Sequence, residues 1–364
     1  MQLSCWLNGK EKLEVNSMKY KIGVYGGSFD PLHIGHINVI INAASQCEKL
    51  YVILSYSRER DSIPMEYRYR WIRNSFLHMD NIEIILLEDN ATSKAEYDTK
   101  DYWERGRDFV LNKIGSNVDV VFCGSDYKGT NRYEDLYNCE VVYFDRLNIP
   151  VSSTAIRSNP FEYWDYIPNI CKSYYTKKVL IVGGESTGKS VLTQNLAIAY
   201  NTNFVSEVGR ETCEYAGGEE YMIVEDLYEN LLRQKTDVMN AVKESNKVLF
   251  VDTDALTTAF YADFLLKSND EYTKCRKLAE TINAINGWDL ILFLEPTVEF
   301  VQDGTRSEEI ALDREKYSNQ IKQLFDKYNM KYYCIGGDYI DRFIKAKELI
   351  KEYLGIIMEQ QYEN

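Results

Sequence analysis

"KKVLIVGGESTGKS", residues 177–190, is the stretch that decides the fold of the second half of the chain. Its apolar beginning has the length of a buried strand, and its end matches G-x-x-x-x-G-K-[ST] at Gly183, Gly188, Lys189 and Ser190. Between a strand and a helix this motif is a phosphate-binding loop, because its backbone N–H groups and the helix N-terminus attract anions. We therefore predict that ATP and Mg²⁺ bind here, with Lys189 on the phosphates and Ser190 on the metal ion. The other loop residues that we expect to contact phosphate are Glu185, Ser186 and Thr187.

Polar residues farther along this half indicate how a phosphoryl group would be transferred. "VLFVDTDALTT" ends an apolar strand in Asp252, which we assign to catalysis and Mg²⁺, and Asp254, which we assign to the substrate. Glu207 and Arg210, in "VSEVGRE", are predicted to contact the acceptor, and Arg306, in "VQDGTRSEE", to close over ATP. The guanine-specificity pattern N-K-x-D is absent from the sequence, which favours transfer to a small acceptor over GTP hydrolysis.

Alternative roles stay open for each of these residues. Asp252 could simply cap the end of its strand. Glu207, Arg210 and Arg306 could form surface ion pairs. The sequence also does not decide which of the three carboxylates, Asp252, Asp254 or Glu207, is the base that accepts the proton of the attacking hydroxyl.

The first half carries a different nucleotide motif, "GGSFDPLHIGH", at residues 26–36. It follows an apolar strand and leads into a helix, and H-x-G-H in that position is typical of nucleotidyltransferases. The chemistry is in-line attack of a phosphate on the α-phosphorus of ATP, for which the protein supplies positioning and charge stabilisation. We therefore predict that His33 and His36 are catalytic hydrogen-bond donors. The residues predicted to contact ATP here are Gly26, Gly27, Ser28, Phe29 and Gly35.

A second segment completes this motif about 120 residues later. "VSSTAIR" places three hydroxyl groups and one guanidinium at a predicted helix start, which suits the phosphates that leave as pyrophosphate. We predict that Arg157 is catalytic. The predicted phosphate-binding hydroxyl residues are Ser152, Ser153 and Thr154.

Apolar runs of strand length alternate with helical segments in both halves, which predicts two α/β domains with parallel sheets. The first is an N-terminal Rossmann-like nucleotidyltransferase domain and the second a C-terminal P-loop kinase domain. The predicted bounds are 1–18 for an N-terminal extension, 19–174 for the first domain and 175–364 for the second. The nine predicted strands are "KYKIGVYG", "KLYVILS", "IEIILLE", "VDVVFCG", "EVVYFD", "KKVLIVGG", "NKVLFVDTD", "WDLILFLE" and "MKYYCIGG".

Composition narrows the class of protein. A net charge of −14 over 364 residues argues against broad binding to nucleic acid, which needs surplus Lys and Arg. The eight cysteines are scattered singly, as in reduced cytoplasmic proteins. No apolar run approaches the length of a membrane span, and no signal peptide is evident. We therefore expect a cytoplasmic protein without stable membrane insertion.

The chain resembles the NadR family, bifunctional enzymes that join a nicotinamide mononucleotide (NMN) adenylyltransferase to a ribosylnicotinamide kinase. From about Lys19 onward it contains, in the family's order, "HIGHINVI", "SRERD", "RYRWI", "VSSTAIRSNPFEYW", "GGESTGKS", "EVGRE", "VDTDALTT" and "DGTRS". The resemblance implies that the kinase phosphorylates nicotinamide riboside with ATP to give NMN, and that the adenylyltransferase converts NMN and ATP to NAD. It also implies that Trp103 stacks on the nicotinamide ring, although core packing is an equal alternative.

The resemblance further leaves room for functional coupling to a riboside transporter and for a homo-oligomer. The helix-turn-helix domain of some family members has no counterpart in residues 1–18, so we do not expect repression through DNA binding. Two other functions stay open. One is a fusion of phosphopantetheine adenylyltransferase with dephospho-coenzyme A kinase, and the other is a nucleotide sensor with one inactive domain.

Overall fold

The computed structural model describes residues 18–130, 132–145, 148–266, 269–302 and 308–358. The chain divides into two compact units between Ser158 and Asn159. The sequence placed this boundary after residue 174, but in the structure residues 159–174 group with the second unit. The reason is packing, because Phe161 contacts the core of the second unit. The predicted extension lies outside the described residues except for Met18.

The first unit contains a five-stranded sheet in the order β3-β2-β1-β4-β5, with every pairing parallel. The strands are β1 (Tyr20–Gly27), β2 (Cys47–Tyr56), β3 (Ile82–Glu88), β4 (Val120–Gly124) and β5 (Glu140–Phe144). The helices are α1 (Ile34–Ala44), α2 (Met65–Ser75), α3 (Lys94–Tyr97), α4 (Lys100–Ile114), α5 (Arg132–Tyr137) and α6 (Ser153–Ser158). The strand order reverses beside β1, so the crevice in which α/β folds bind ligands opens at its carboxyl end.

The second unit also has a five-stranded sheet with parallel pairings throughout, but its order is different, β10-β9-β6-β8-β7: the first strand, β6, pairs with β8, and β7 lies at the edge. The strands are β6 (Lys177–Gly183), β7 (Phe204–Val205), β8 (Val248–Asp252), β9 (Leu290–Leu294) and β10 (Tyr333–Ile335). The helices are α7 (Asn169–Tyr175), α8 (Lys189–Ala199), α9 (Val208–Ala216), α10 (Val224–Glu244), α11 (Ala255–Leu266), α12 (Asn269–Asn286), α13 (Glu308–Leu312), α14 (Arg314–Lys327) and α15 (Tyr339–Leu354). The central strand, β6, leads directly into the phosphate-binding loop.

Burial explains why the apolar runs form strands. All five residues of β8 and all five of β9 are buried, as expected for parallel strands covered by helices on both faces. Each of the nine predicted runs contains a strand, and the fold class is confirmed. None of the helices among the described residues is both long and apolar enough to cross a membrane.

Candidate functional site

The two histidines of the H-x-G-H motif meet at the carboxyl end of β1. His33 immediately precedes α1, and its backbone N–H donates to Nδ1 of His36 at 3.4 Å. The two imidazole rings are stacked, with centroids 3.7 Å apart and planes 21° from parallel. Since α1 begins here, both rings lie at a helix N-terminus, where the helix dipole favours an anion.

Two neighbours of the histidines fix the positions of the rings. Phe29 is fully buried and meets His36 edge-on with ring centroids 5.0 Å apart, so it supports that ring from the protein interior. A Cβ atom on Gly35 would lie 2.9 Å from two atoms of the His33 ring. The missing side chain of Gly35 therefore leaves room for the His33 ring, and the predicted contact of Gly35 with ATP stays a prediction.

The second predicted segment closes on the first, as the sequence indicated. The Ser153 hydroxyl, at the start of α6, donates to the Pro31 carbonyl at 2.9 Å. Arg157 donates to the Asp30 carbonyl, and its Nη1 lies 3.6 Å from Asp30 Oδ2. Its other guanidinium nitrogen donates to Thr154 Oγ1 at 3.3 Å. Residues about 120 positions apart in the sequence therefore form one constellation with the histidines.

Two predicted contact residues of the first unit make local structural contacts. The Ser152 hydroxyl accepts the Ala155 N–H at 3.1 Å in the first turn of α6. The Trp103 indole N–H donates to the Tyr97 carbonyl at 2.9 Å, and the Arg132 guanidinium lies 4.8 Å from the centroid of the Trp103 ring. Stacking of Trp103 on a ligand therefore stays a prediction.

Sequence reasoning missed Arg68 as part of this site. Its side chain is fully buried, donates to the Ser28 carbonyl at 2.7 Å, and forms an ion pair with Asp61 at 2.6 Å. Arg68 precedes the buried Trp71 and Ile72 by three and four residues on α2, so it occupies the apolar face of that helix. A charged residue on the apolar face of a predicted helix was the sequence feature that could have identified Arg68.

Two side chains of the phosphate-binding loop in the second unit donate hydrogen bonds to a carbonyl group of the same loop. The Gly184 carbonyl accepts from Thr187 Oγ1 at 2.9 Å and from Lys189 Nζ at 3.1 Å. Gly183 and Gly188 have φ of 152° and 81°, and a Cβ atom on Gly183 would lie 2.6 Å from the last carbonyl of β9. Glycine is therefore required at both positions by the backbone itself.

Asp252 lies opposite Ser190, the other residue predicted to bind Mg²⁺. The Ser190 hydroxyl donates to Asp252 Oδ2 at 2.6 Å, and the carboxylate is 1% exposed. Burial, and next the neighbouring Glu207 carboxylate, raise the pKa of Asp252 to about 6, while Lys189 opposes that shift. A hydroxyl and one carboxylate are the protein ligands that Mg²⁺ uses when phosphates supply further oxygens, so the pair fits this ion. In the described part of the chain, no group of three or more His, Cys, Asp and Glu side chains could hold a metal ion.

Asp254 has a different environment from Asp252. Its Oδ1 accepts from both the backbone N–H and the hydroxyl of Thr257, at 3.1 and 2.9 Å, and so caps the start of α11. Burial raises the pKa of Asp254 to about 6. Its side chain does not border the cavity beside the phosphate-binding loop. The predicted contact with substrate therefore has no support in this geometry.

A cavity beside Lys189 contains the predicted acceptor residues Glu207 and Arg210. Sequence reasoning missed other lining side chains, among them Asn230 and Tyr261. They lie on the long helices α10 and α11, and no local motif marks them. The predicted loop residues Glu185 and Ser186 also border this cavity.

Gln234, also missed, connects α9 to β8. Its side-chain carbonyl accepts the Val208 N–H at 3.1 Å, and its amide donates to the Asp252 carbonyl at 3.0 Å. Because it spans the first turn of α9 and the end of β8, Gln234 fixes the distance between the cavity and the carboxylate.

The predicted ATP-closing residue Arg306 lies outside the described residues. Arg314, at the start of α14, reaches the phosphate-binding loop: it donates to the Ser186 carbonyl at 3.0 Å and to the Val298 carbonyl at 2.6 Å. The Ser186 hydroxyl also accepts the Val301 N–H at 2.8 Å. Val301 is thus attached to the loop.

Comparison with known proteins assigns families to both units. Residues 24–159 match the cytidylyltransferase-like family and residues 178–342 match the AAA domain family. Over 360 residues the chain is 31% identical to the trifunctional NAD biosynthesis/regulator protein NadR of Escherichia coli, a match that covers 94% of this chain and 86% of that protein. The same figures hold for the NadR protein of Salmonella typhimurium. A shorter match, 30% identical over 145 residues and 39% of this chain, is to phosphopantetheine adenylyltransferase of Mycoplasma mycoides.

Solved structures give the same result for the fold. A crystal structure of NadR protein in complex with NR superposes with a TM-score of 0.77 at 25% identity, covering 95% of this chain and 99% of that one. A second, of NadR protein in complex with NAD and AMP-PNP, gives 0.76 at 24% identity and covers 95% and 100% of the two chains. The similarity thus extends across both units.

Proposed function

The chain belongs to the NadR family, and from that membership we propose that it makes NAD in two ATP-dependent steps. The second unit phosphorylates nicotinamide riboside to NMN, and the first transfers the adenylyl group of ATP to NMN, giving NAD and pyrophosphate. The observation that carries this proposal is the presence of both nucleotide sites on a chain that matches NadR over 94% of its length.

For the kinase step, we assign phosphate binding to Lys189 and the metal ion to Ser190 and Asp252. Mg²⁺, when bound, offsets the negative charge of the β- and γ-phosphates. The riboside would occupy the cavity beside Lys189, where Glu207 is the carboxylate that can receive the proton of its hydroxyl group. The capping contacts of Asp254 argue against it as the base, and the hydrogen bond between Ser190 and Asp252 supports our choice of Asp252 as a ligand of the metal ion.

For the adenylyl step, we assign the α-phosphate to His33 and His36. A phosphate oxygen of NMN attacks the α-phosphorus, and the bond from that phosphorus to the bridging oxygen of the β-phosphate breaks. The stacked imidazoles can donate hydrogen bonds to the oxygens on which charge accumulates. We assign the departing pyrophosphate to Arg157, whose hydrogen bond to the Asp30 carbonyl holds its guanidinium beside the histidine loop.

A direct assay tests the pair of activities. Purified protein is incubated with Mg²⁺, ATP and either nicotinamide riboside or NMN, and the products are separated by chromatography. We expect NMN and then NAD from the riboside, and NAD from NMN. Phosphopantetheine is the competing acceptor, because phosphopantetheine adenylyltransferases match the first unit. Adenylyl transfer to phosphopantetheine without NAD formation from NMN would overturn the assignment.

Replacing Gly35 with Ala should impair the adenylyl step alone. The added Cβ would lie 2.9 Å from the His33 ring, so the ring must move, and a displaced catalytic group should slow NAD formation from NMN by about 10- to 100-fold. Gly106→Ala is the matched control, because its Cβ would make only an ordinary 3.7 Å contact with Leu87. Unchanged NAD formation in Gly35→Ala would show that the position of His33 does not limit this reaction.

The kinase step should require more Mg²⁺ as the pH falls. Because the pKa of Asp252 is raised to about 6, the carboxylate is ionised at pH 7.5 and largely protonated at pH 5.5, and protons then compete with the metal ion. We expect the Mg²⁺ concentration for half-maximal riboside phosphorylation to rise over this interval. The Mg²⁺ requirement of adenylyl transfer is measured over the same pH range. Because both reactions use ATP, this measurement corrects for the protonation of ATP itself. Equal changes in both reactions would exclude Asp252 as the cause.

We infer that the enzyme acts in the cytoplasm on small molecules and not on nucleic acid. The singly spaced cysteines and the net charge of −14 support this setting. Coupling to a riboside transporter and assembly into a homo-oligomer are compatible with the same setting and stay proposals.

A further inference from the structure

Arg68 and Arg342 are the two largest fully buried side chains among the described residues, each 1% exposed. Each lies in a different unit, and each donates to a carbonyl of the glycine-rich loop of its own unit. Arg68 Nη1 donates to the Ser28 carbonyl, and Arg342 Nη1 donates to the Thr187 carbonyl. Buried arginines are rare because removing the charge from water is costly. The placement of Arg68 and Arg342 against the two glycine-rich loops therefore indicates a function for each.

Arg342 connects the phosphate-binding loop to the ends of two strands. Besides the Thr187 carbonyl, it donates from Nη2 to the Glu295 carbonyl and the Thr297 hydroxyl, both at 2.8 Å. Its Nε donates to the Gly337 carbonyl at 3.1 Å. Glu295 follows β9 and Gly337 follows β10, so a single side chain fixes three backbone segments at the carboxyl edge of the sheet.

The loop also packs closely against the helix that carries this arginine. A Cβ atom on Gly188 would lie 3.0 Å from the Tyr339 ring and 3.3 Å from Arg342 Nη1. The first turn of α15 therefore forms the wall behind the loop. Movement of Arg342 would be transmitted directly to the residue that begins α8.

The charge environments of the two arginines differ. Arg68 is paired with the Asp61 carboxylate at 2.6 Å. Within the described residues, Arg342 donates only to carbonyl and hydroxyl oxygens. Burial lowers the pKa of its guanidinium below the ordinary value. The Asp338 and Glu295 carboxylates act on this guanidinium through space, but among the described residues neither forms an ion pair with it, and a bound polyphosphate would add further negative charge.

We propose that Arg342 is a positioning residue for ATP in the second unit. By holding the Thr187 carbonyl toward the protein interior, it keeps the loop in the form that presents its N–H groups to the phosphates. Its positive charge adds to the attraction for the nucleotide. The inference rests on the proposed binding of ATP by this unit, but not on the identity of the acceptor.

The test compares Arg342→Met and Arg342→Lys with the wild type in both reactions. In Arg342→Met we expect the KM for ATP in riboside phosphorylation to rise by about 10-fold or more, as for loss of charge-assisted hydrogen bonds. The KM for the riboside and the rate of adenylyl transfer should stay unchanged. Arg342→Lys, which keeps the charge but cannot reach all four acceptors, should show a smaller increase in the KM for ATP.

Arg68→Met is the matched control, because it removes an equally buried arginine from the other loop. It should impair adenylyl transfer and leave the KM for ATP of the kinase unchanged. If Arg342 were merely structural, Arg342→Met would lower the active fraction and leave the KM for ATP unaltered, and that result would overturn the proposal. If Arg342→Met does not fold, the test rests on Arg342→Lys alone. An unchanged KM for ATP in Arg342→Lys would then overturn the proposal.

Titration calorimetry with Mg²⁺ and AMP-PNP tests the role of Arg342 in nucleotide binding without depending on the proposed kinase reaction. The wild type should bind the analogue at two sites, and Arg342→Met should weaken the same site that Lys189→Ala weakens. If the wild type binds at two sites but does not phosphorylate the riboside, the assigned reaction is wrong while the inference on Arg342 stands. If Arg342→Met binds at both sites like the wild type, the inference is wrong whatever the acceptor.

Discussion

Lys189→Ala should abolish phosphorylation of nicotinamide riboside and leave adenylyl transfer to NMN unchanged. The Lys189 ammonium is 8% exposed and lies inside the loop, 3.1 Å from the Gly184 carbonyl. No other side chain of the motif can supply a positive charge at the β- and γ-phosphates, where negative charge is greatest during transfer. We expect the kinase rate to fall by at least about 10³-fold, as for loss of a group aimed at the transition-state charge.

Each activity is measured with its own substrate, so that loss of the first cannot hide the second. Riboside and ATP report on the kinase, and NMN supplied directly reports on adenylyl transfer. Lys345→Ala is the matched control, because Lys345 is an exposed lysine of the same unit, paired with Glu348 on α15. Loss of both activities in a folded Lys189→Ala protein would refute the two-site organisation.

His36→Ala should have the reverse effect, with adenylyl transfer reduced by about 10²-fold or more, as for removal of a transition-state donor. The ring of His36 is stacked on His33, supported by Phe29, and located at the N-terminus of α1, so its position is fixed before substrate binds. Alanine removes the donor and also one support of the His33 ring. The kinase, whose loop and cavity lie wholly in the second unit, should be unaffected.

The measurement is NAD formation from NMN and ATP, with riboside phosphorylation as the internal reference. His78→Ala provides the matched control, because His78 is exposed and the sequence assigns no role to it. His36→Asn keeps a hydrogen-bond donor, although of different reach. Its rate of NAD formation should lie between those of His36→Ala and the wild type. A His36→Ala enzyme that forms NAD at the normal rate would remove the histidine pair from the mechanism.

The features that could be predicted from the sequence are those encoded over short distances. A run such as "VLFVD" is buried on both faces, and the spacing of H-x-G-H or G-K-S fixes which groups emerge at the end of a strand. The pairing of Arg157 with the histidine loop was also predictable, because its motif contains hydroxyl residues and a cation at a helix start. Apart from that pairing, which joins residues 127 positions apart, these elements need no knowledge of distant contacts.

The missed features depend on distant contacts. Arg342 lies four residues before the buried Ala346 on α15, so its burial could be inferred, but its acceptors at Thr187 and Glu295 could not. Asp254 resembled a ligand because it follows a strand, whereas the following Thr257 makes it a helix cap. The boundary shifted because the packing of Phe161 is not evident in a connection rich in aromatic residues.

Among the described residues, the contacts given above for each glycine-rich loop come from within its own unit. Arg68, Ser153 and Arg157 serve the first loop, and the contacts of Arg342 with Thr187 and of Arg314 with Ser186 serve the second. In genetic terms, harmful alleles of this gene should fall into two complementation groups. One group would accumulate NMN, and the other would depend on an external supply of it. With NMN released to solution, a cell carrying one allele of each group would regain the route from riboside to NAD.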